Sequence, residues 1–178
     1  MRRVVVVGTS GSGKTALARR LAERIGCPHV ELDSLHWRPN WTEAPAEEFR
    51  ERVRRTVDGD AWVIDGNYSI VRDIVWRRAD TLVWLDYSLA IILWRLARRT
   101  ADRLLTRREL WAGNREDLRL LLSRDSIILW ALRTYRKNRR MYGAAAYDPA
   151  HAHLTIVRLR TPRECAAWLA WPDATGVR

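Results

Sequence analysis

The sequence predicts a three-layer α/β domain with a parallel sheet at its centre, and three observations carry that expectation. Five short apolar runs of strand type recur along the 178 residues, separated by segments of helical periodicity. The first run, Val4 to Val7, is apolar at every position, as a strand covered by helices on both faces must be. Its helix and the next strand follow within about thirty residues, the length of a βαβ unit.

Taken in order, the first strand spans residues 3–7 and leads into a helix from about Gly13 to Ile25, closed by Gly26 at the C′ position with Pro28 beyond. HVELD, 29–33, reads as a second strand ending in an acid. Glu43 to Val57 is helical in pattern, with Phe49, Val53 and Val57 on one face. AWVIDGN, 61–67, and TLVWLD, 81–86, are the third and fourth strands, both with an aspartate at the exit. Leu89, Ile92, Leu93 and Leu96 form the apolar stripe of a helix starting near Ser88. Residues 100–124 are arginine-rich and weakly periodic, and 125–142 form a further helix with a basic second half. LTIVRL, 154–159, is the fifth strand. TPRE is a capping box, with Thr161 at N-cap, Pro162 at N1 and Glu164 at N3, for a last helix through Trp171. No repeat or linker divides the chain, so residues 1–178 read as a single domain in which 95–142 is a helical insertion able to act as a lid.

Composition bounds the function. A formal charge of +11 and a pI near 10.8 favour phosphate-bearing partners, whether nucleotide, nucleic acid or anionic lipid. Cys27 and Cys165 are far apart and belong to no C-x-x-C pair, which argues against a disulfide framework or zinc knuckle and for a reducing cytoplasm. No window has the apolar length of a membrane span, and the run in MRRVVVVG is too short for a signal segment.

GTSGSGKT is the most specific stretch. Gly8, Thr9, Ser10, Gly11, Ser12, Gly13, Lys14 and Thr15 match G-x-x-x-x-G-K-[ST] between a strand and a helix. Glycines let the backbone turn its N–H groups inward, and the positive end of the following helix adds to the anion site. Lys14 is placed to reach β- and γ-phosphates, and the Thr15 hydroxyl to ligate Mg2+. Only one other lysine, Lys137, occurs in the chain. The expectation is a nucleotide held by its phosphates.

The acids at the strand exits bear on the reaction, because those exits line the ligand crevice of a parallel sheet. Asp33, Asp65 and Asp86 are expected there, with Asp65 holding Mg2+ through its water shell. GTSGSGKT, LDSLHW at 32–37, DGNY at 65–68, RAD at 78–80 with WLD at 84–86, and LWAGNRE at 110–116 together resemble the small adenylate-kinase-like P-loop ATPases known as topology modulation proteins. The likeness covers almost the whole chain. It implies a P-loop NTPase fold with a five-stranded parallel sheet ordered 2-3-1-4-5, Asp65 beside the phosphate loop, and ATP as phosphoryl donor. VIDGN with Arg72 downstream is similar to the DG-x-x-R segment of nucleoside monophosphate kinases, and Arg95 with Arg99 to the R-x-x-x-R that opens their lid. The chain departs from those kinases in having Asn67, Tyr68 and Ser69 where they have proline and arginine. Asp33 also suits small-molecule kinases such as those for shikimate, which place an acid after strand two to bind an acceptor hydroxyl.

Arg95, Arg99 and Arg103 lie four apart on one helix face, and Arg107, Arg108, Arg115 and Arg124 extend the basic character. A lid carrying such arginines would stabilise the charge of phosphoryl transfer, with Lys14, Asp33, Arg95 and Arg99 as the catalytic set and Arg124 and Arg133 in reserve. Asp33, Trp37, Asn67, Tyr68 and Arg72 are the candidates for binding the acceptor, Thr15 and Asp65 for the metal. The leading expectation is an ATP- and Mg2+-dependent kinase acting on a small molecule, with nucleotides and nucleosides ahead of metabolite alcohols. The rival is a nucleotide-regulated protein that contacts DNA through the basic RTYRKNRR, 133–140, although no DNA-reading motif accompanies it.

Overall fold

The structure of the protein is a computed structural model that describes residues 1–106, 111–114 and 126–170. In chain order its strands are β1 (Arg3–Gly8), β2 (His29–Glu31), β3 (Trp37–Arg38), β4 (Thr42–Glu43), β5 (Trp62–Asp65), β6 (Thr81–Leu85) and β7 (Thr155–Leu159). The helices are α1 (Lys14–Ile25), α2 (Leu32–His36), α3 (Ala46–Val57), α4 (Arg72–Arg78), α5 (Leu89–Thr106), α6 (Ile127–Ala145) and α7 (Pro162–Ala170).

One sheet runs β2-β5-β1-β6-β7, every pairing parallel. Counting its five strands alone, the order is the expected 2-3-1-4-5. β3 and β4 form a separate antiparallel hairpin that the sequence reading did not anticipate. The alternation of β1 divides the core: Val5 and Val7 pack with Phe49, Val53, Val57 and Trp76 on one face, Val4 and Val6 with Leu17, Leu21, Ile92 and Leu96 on the other. The α3 stripe read from spacing is therefore the buried stripe. α1 ends as expected, with Gly26 at φ 73° donating to the Ala22 carbonyl at 2.8 Å.

Several boundaries differ for physical reasons. HVELD was expected to stay extended to Asp33, but the strand stops at Glu31 and Leu32–His36 turns into α2, placing Asp33 in a helical first turn. α3 begins at Ala46, not Glu43, because Thr42 and Glu43 pair with Trp37 and Arg38. α4 is seven residues long, too short for periodicity to reveal. The capping box forms with a shift: the Glu164 amide donates to Thr161 Oγ1 at 3.1 Å, while the Glu164 carboxylate accepts from the Arg160 amide rather than from that of Thr161. Trp171 and Arg107, Arg108, Arg115 and Arg124 lie outside the described residues.

Two acids expected to behave alike are separated by their neighbours. Asp86, just past β6, has a side chain 1% exposed and accepts from Arg139 of α6 at 2.8 Å and Arg158 of β7 at 2.5 Å. It ties α6 to the sheet edge and is not an acid of the crevice, which corrects the expectation drawn from its place at a strand exit. Arg158 also stacks over Trp84.

Gly66 shows why the strand-three exit reads DG. Its φ is 142°, and a Cβ there would stand 2.7 Å from the Leu32 Cβ, so the β5 exit can pass α2 only without a side chain. Gly66→Ala is expected to cost about 1–3 kcal/mol of stability from strain and overpacking. Denaturant unfolding checks this: the midpoint should fall with little change in slope.

Candidate active site

The glycine loop joins β1 to α1 at the C-terminal edge of the sheet. Gly13, φ 93°, is the residue before α1, and a Cβ on it would meet the Arg95 guanidinium at 2.9 Å. Arg95, reaching over from α5, donates to the Ser12 carbonyl at 2.7 Å and lies over the Tyr87 ring. Lys14 folds back along the loop, its Nζ 3.4 Å from the Thr9 carbonyl. Burial pushes the Lys14 ammonium below its ordinary pKa, with Arg99 acting in the same direction; Asp65 and Asp33 pull the other way. Lys14, Asp33, Asp65 and Arg99 thus share one electrostatic neighbourhood.

Asp65 ends β5 and is 4% exposed. Thr15 Oγ1 donates to its Oδ2 at 2.7 Å, and His29 Nε2 lies 2.8 Å from its Oδ1. The predicted metal pair, Thr15 and Asp65, is therefore brought together across fifty positions of sequence. Its donors are two oxygens, which suits Mg2+ with phosphate and water supplying the rest of an octahedral shell. Among the described residues no group of three or more His, Cys, Asp or Glu side chains forms a protein-only metal cage.

Among the residues expected to bind the acceptor, Tyr68 donates to Asp33 Oδ1 at 2.5 Å. Burial, with Asp33 adding to it, raises the Tyr68 pKa far above the ordinary phenol value, so Tyr68 remains an O–H donor; the Trp37 indole N–H acts weakly against this. His36 is buried among these rings, its centroid 4.5 Å from Tyr68 and 4.9 Å from Trp37. Asp33, Trp37 and Tyr68 consequently meet at one place. Asn67 and Arg72 line a small cavity with Tyr68, Gly66 and Trp76, behind the Asp33–Tyr68 pair, and Arg72 stacks over Trp76 with 5.5 Å to the ring centroid.

Sequence reasoning passed over three residues here. His29 contacts Asp65, as above. Glu31 stands opposite Asp65 in the parallel ladder and accepts from the Trp111 indole at 3.2 Å. Its carboxyl is held above the ordinary range by burial first and by Asp65 second. Asn114 is 6% exposed, accepts from the Trp41 amide at 3.0 Å and donates to the Arg38 and Trp111 carbonyls at 2.9 Å. Asn114 therefore fastens the 111–114 turn to the β3–β4 hairpin. The only signal for it was its place in LWAGNRE.

The α5 arginines are sorted by the helix. Arg95, Arg99 and Arg103 are half-buried, whereas Arg98 is exposed and covers Trp94. In the 133–140 cluster, Arg139 is engaged by Asp86, which reduces the basic surface left for DNA. Among the described residues, no helix is long and apolar enough to cross a membrane, and both cysteines are free thiols.

The parallel sheet in the order 2-3-1-4-5, with its glycine loop entering α1 beside an aspartate at the neighbouring strand exit, defines a P-loop NTPase of kinase-like architecture. Residues 4–119 match the family described as AAA domain, and the chain belongs to that family. A shikimate kinase from Symbiobacterium thermophilum is 38% identical over 104 residues, covering 47% of this chain and 56% of that protein. The chain thus matches little more than half the length of this relative. Two solved structures share the fold: a gluconokinase from Sinorhizobium meliloti, TM-score 0.52 at 20% identity over 95% of this chain and 91% of that one, and a shikimate kinase from Acinetobacter baumannii in complex with shikimate, TM-score 0.53 at 18% identity over 94% and 88%.

Proposed function

We propose that the chain is an ATP- and Mg2+-dependent kinase that transfers a phosphoryl group to a hydroxyl of a small molecule, acting in the cytoplasm. The observation that carries the reading is the meeting, at one sheet edge, of the glycine loop, the Thr15–Asp65 pair and the Asp33–Tyr68 pair. Adenylate-kinase-like blocks such as LDSLHW and DGNY belong to the same proposal, and with them the likeness to topology modulation proteins.

The geometry supports a role for each residue. Loop N–H groups and Lys14 hold the phosphates, and Arg95 and Arg99, carried by α5, face the charge that develops during transfer. Thr15 and Asp65 would hold Mg2+, which when bound offsets the charge of the β- and γ-phosphates. Tyr68 fixes one oxygen of Asp33 and leaves the other to accept the proton of an attacking hydroxyl. Trp37 and Tyr68 offer ring surface against which an acceptor packs, and Asn67 and Arg72 supply polar groups behind them. A monophosphate acceptor needs no such base, because its attacking oxygen is already ionised. Asp33 therefore favours a hydroxyl, and nucleosides, sugars and hydroxy acids all present one.

ATP consumption measured against a panel of nucleosides, nucleoside monophosphates, sugars and hydroxy acids tests this. Turnover confined to a hydroxyl acceptor is the expected result. Turnover with monophosphates alone overturns the hydroxyl assignment, and no acceptor-stimulated turnover across the panel overturns the kinase reading.

A further inference from the structure

We propose that His29 is a positioning residue for Asp65: it holds the carboxylate so that Oδ2 alone is presented to Thr15 and to the metal-bound nucleotide. The inference rests on reading Thr15 and Asp65 as the metal-holding pair, and adds a residue to which no role in that site has been given.

The geometry is specific. Each oxygen of Asp65 has its own donor, His29 Nε2 at 2.8 Å on Oδ1 and Thr15 Oγ1 at 2.7 Å on Oδ2. A carboxylate only accepts, so His29 carries a proton on Nε2, and rotation of the Asp65 carboxylate would break one bond or the other. The sheet enforces the approach. β2 and β5 are parallel, with His29 opposite Val63 and Glu31 opposite Asp65, so His29 and Glu31 point to the same face two positions apart. Glu31 is thereby placed beside Asp65, a like charge against which the His29 and Thr15 donors together hold the aspartate. The His29 side chain is 14% exposed and that of Asp65 5%, so water replaces this donor poorly. Outer hydrogen-bond partners of metal-holding carboxylates commonly set metal affinity by about 10- to 100-fold.

The test uses the full chain and ATP affinity, read by calorimetry with Mg2+ and with a chelator. His29→Phe fills the space without the donor, and His29→Gln keeps an N–H near the Nε2 position. The expected result is an unchanged affinity for metal-free ATP in both variants. In His29→Phe the Mg2+-dependent gain in affinity should fall about tenfold, and in His29→Gln it should be largely restored. Thermal unfolding verifies the fold of each. Should His29→Phe fail to fold, His29→Asn, too short to reach Asp65, carries the same expectation. A Mg2+-dependent gain that survives intact in the donor-free variant overturns the role of His29 alone. Equal losses in the Phe and Gln variants overturn it as well, since a merely structural contribution would not follow the donor. Absence of any Mg2+-dependent binding by the unaltered chain overturns both this inference and the metal-pair reading beneath it.

Discussion

Lys14→Ala is expected to lower ATP-dependent turnover by about 100- to 1,000-fold, the usual cost of losing one preorganised group that meets transition-state charge. Lys14 is the one loop side chain that carries a positive charge, and Arg95 is held by its hydrogen bond to the Ser12 carbonyl, so it does not take the place of the lysine. Arginine in its place would not restore the activity, because the planar fork does not fit a site built for a compact ammonium. The same variant should be no less stable than the parent. Burial lowers the Lys14 pKa, so the folded state disfavours its charged form, and removing it relieves a cost that is present at pH values below the unfolded lysine pKa. Initial rates and a thermal unfolding curve measured on one preparation check both halves. Turnover within about twofold of the parent would remove the loop from the mechanism.

Asp33→Asn is expected to lower kcat by about 100- to 10,000-fold while leaving ATP affinity close to the parent value. The amide oxygen can still accept from Tyr68, so the local structure survives, but no proton can be taken from a hydroxyl. The loss should appear in kcat more than in the KM for ATP, because the proposed mechanism sets Asp33 on the acceptor side and Lys14 on the donor side. A variant that keeps full kcat would show that the attacking oxygen arrives already ionised, and would return the acceptor to the monophosphate class. The comparison with Lys14→Ala is informative, since the loop variant should weaken nucleotide binding where the acid variant does not.

How much of this was legible in the sequence depends on the range of the interaction behind each feature. The five sheet strands were legible because each is a contiguous apolar run, and the α3 and α5 stripes because Phe49, Val53 and Val57, and Ile92 and Leu96, recur at helical spacing. The β3–β4 hairpin was not, since two-residue strands are too short for any period to show. α2 was misread for a related reason: HVELD has a strand-like composition, and it bends after Glu31 to bring Asp33 under Tyr68, a constraint supplied from 35 positions away. His29 and Glu31 carried no motif of their own and Asn114 only its place in LWAGNRE, and their contacts appear only when the ladder and the 111–114 turn set them beside Asp65 and the hairpin.

By itself the sequence determined the phosphate loop, because its glycines, its lysine and its threonine are contiguous and the backbone conformation they require is local. It also determined that Asp65 and Asp86 would stand at strand exits. Which of those acids is available for chemistry was decided by tertiary structure alone. VID at 63–65 and WLD at 84–86 are nearly indistinguishable as text, yet Asp65 meets Thr15 and His29 while Asp86 meets Arg139 and Arg158. A carboxylate takes its role from the donors within hydrogen-bond reach. For both aspartates those donors come from 36 to 72 residues away, so only the folded chain could tell them apart.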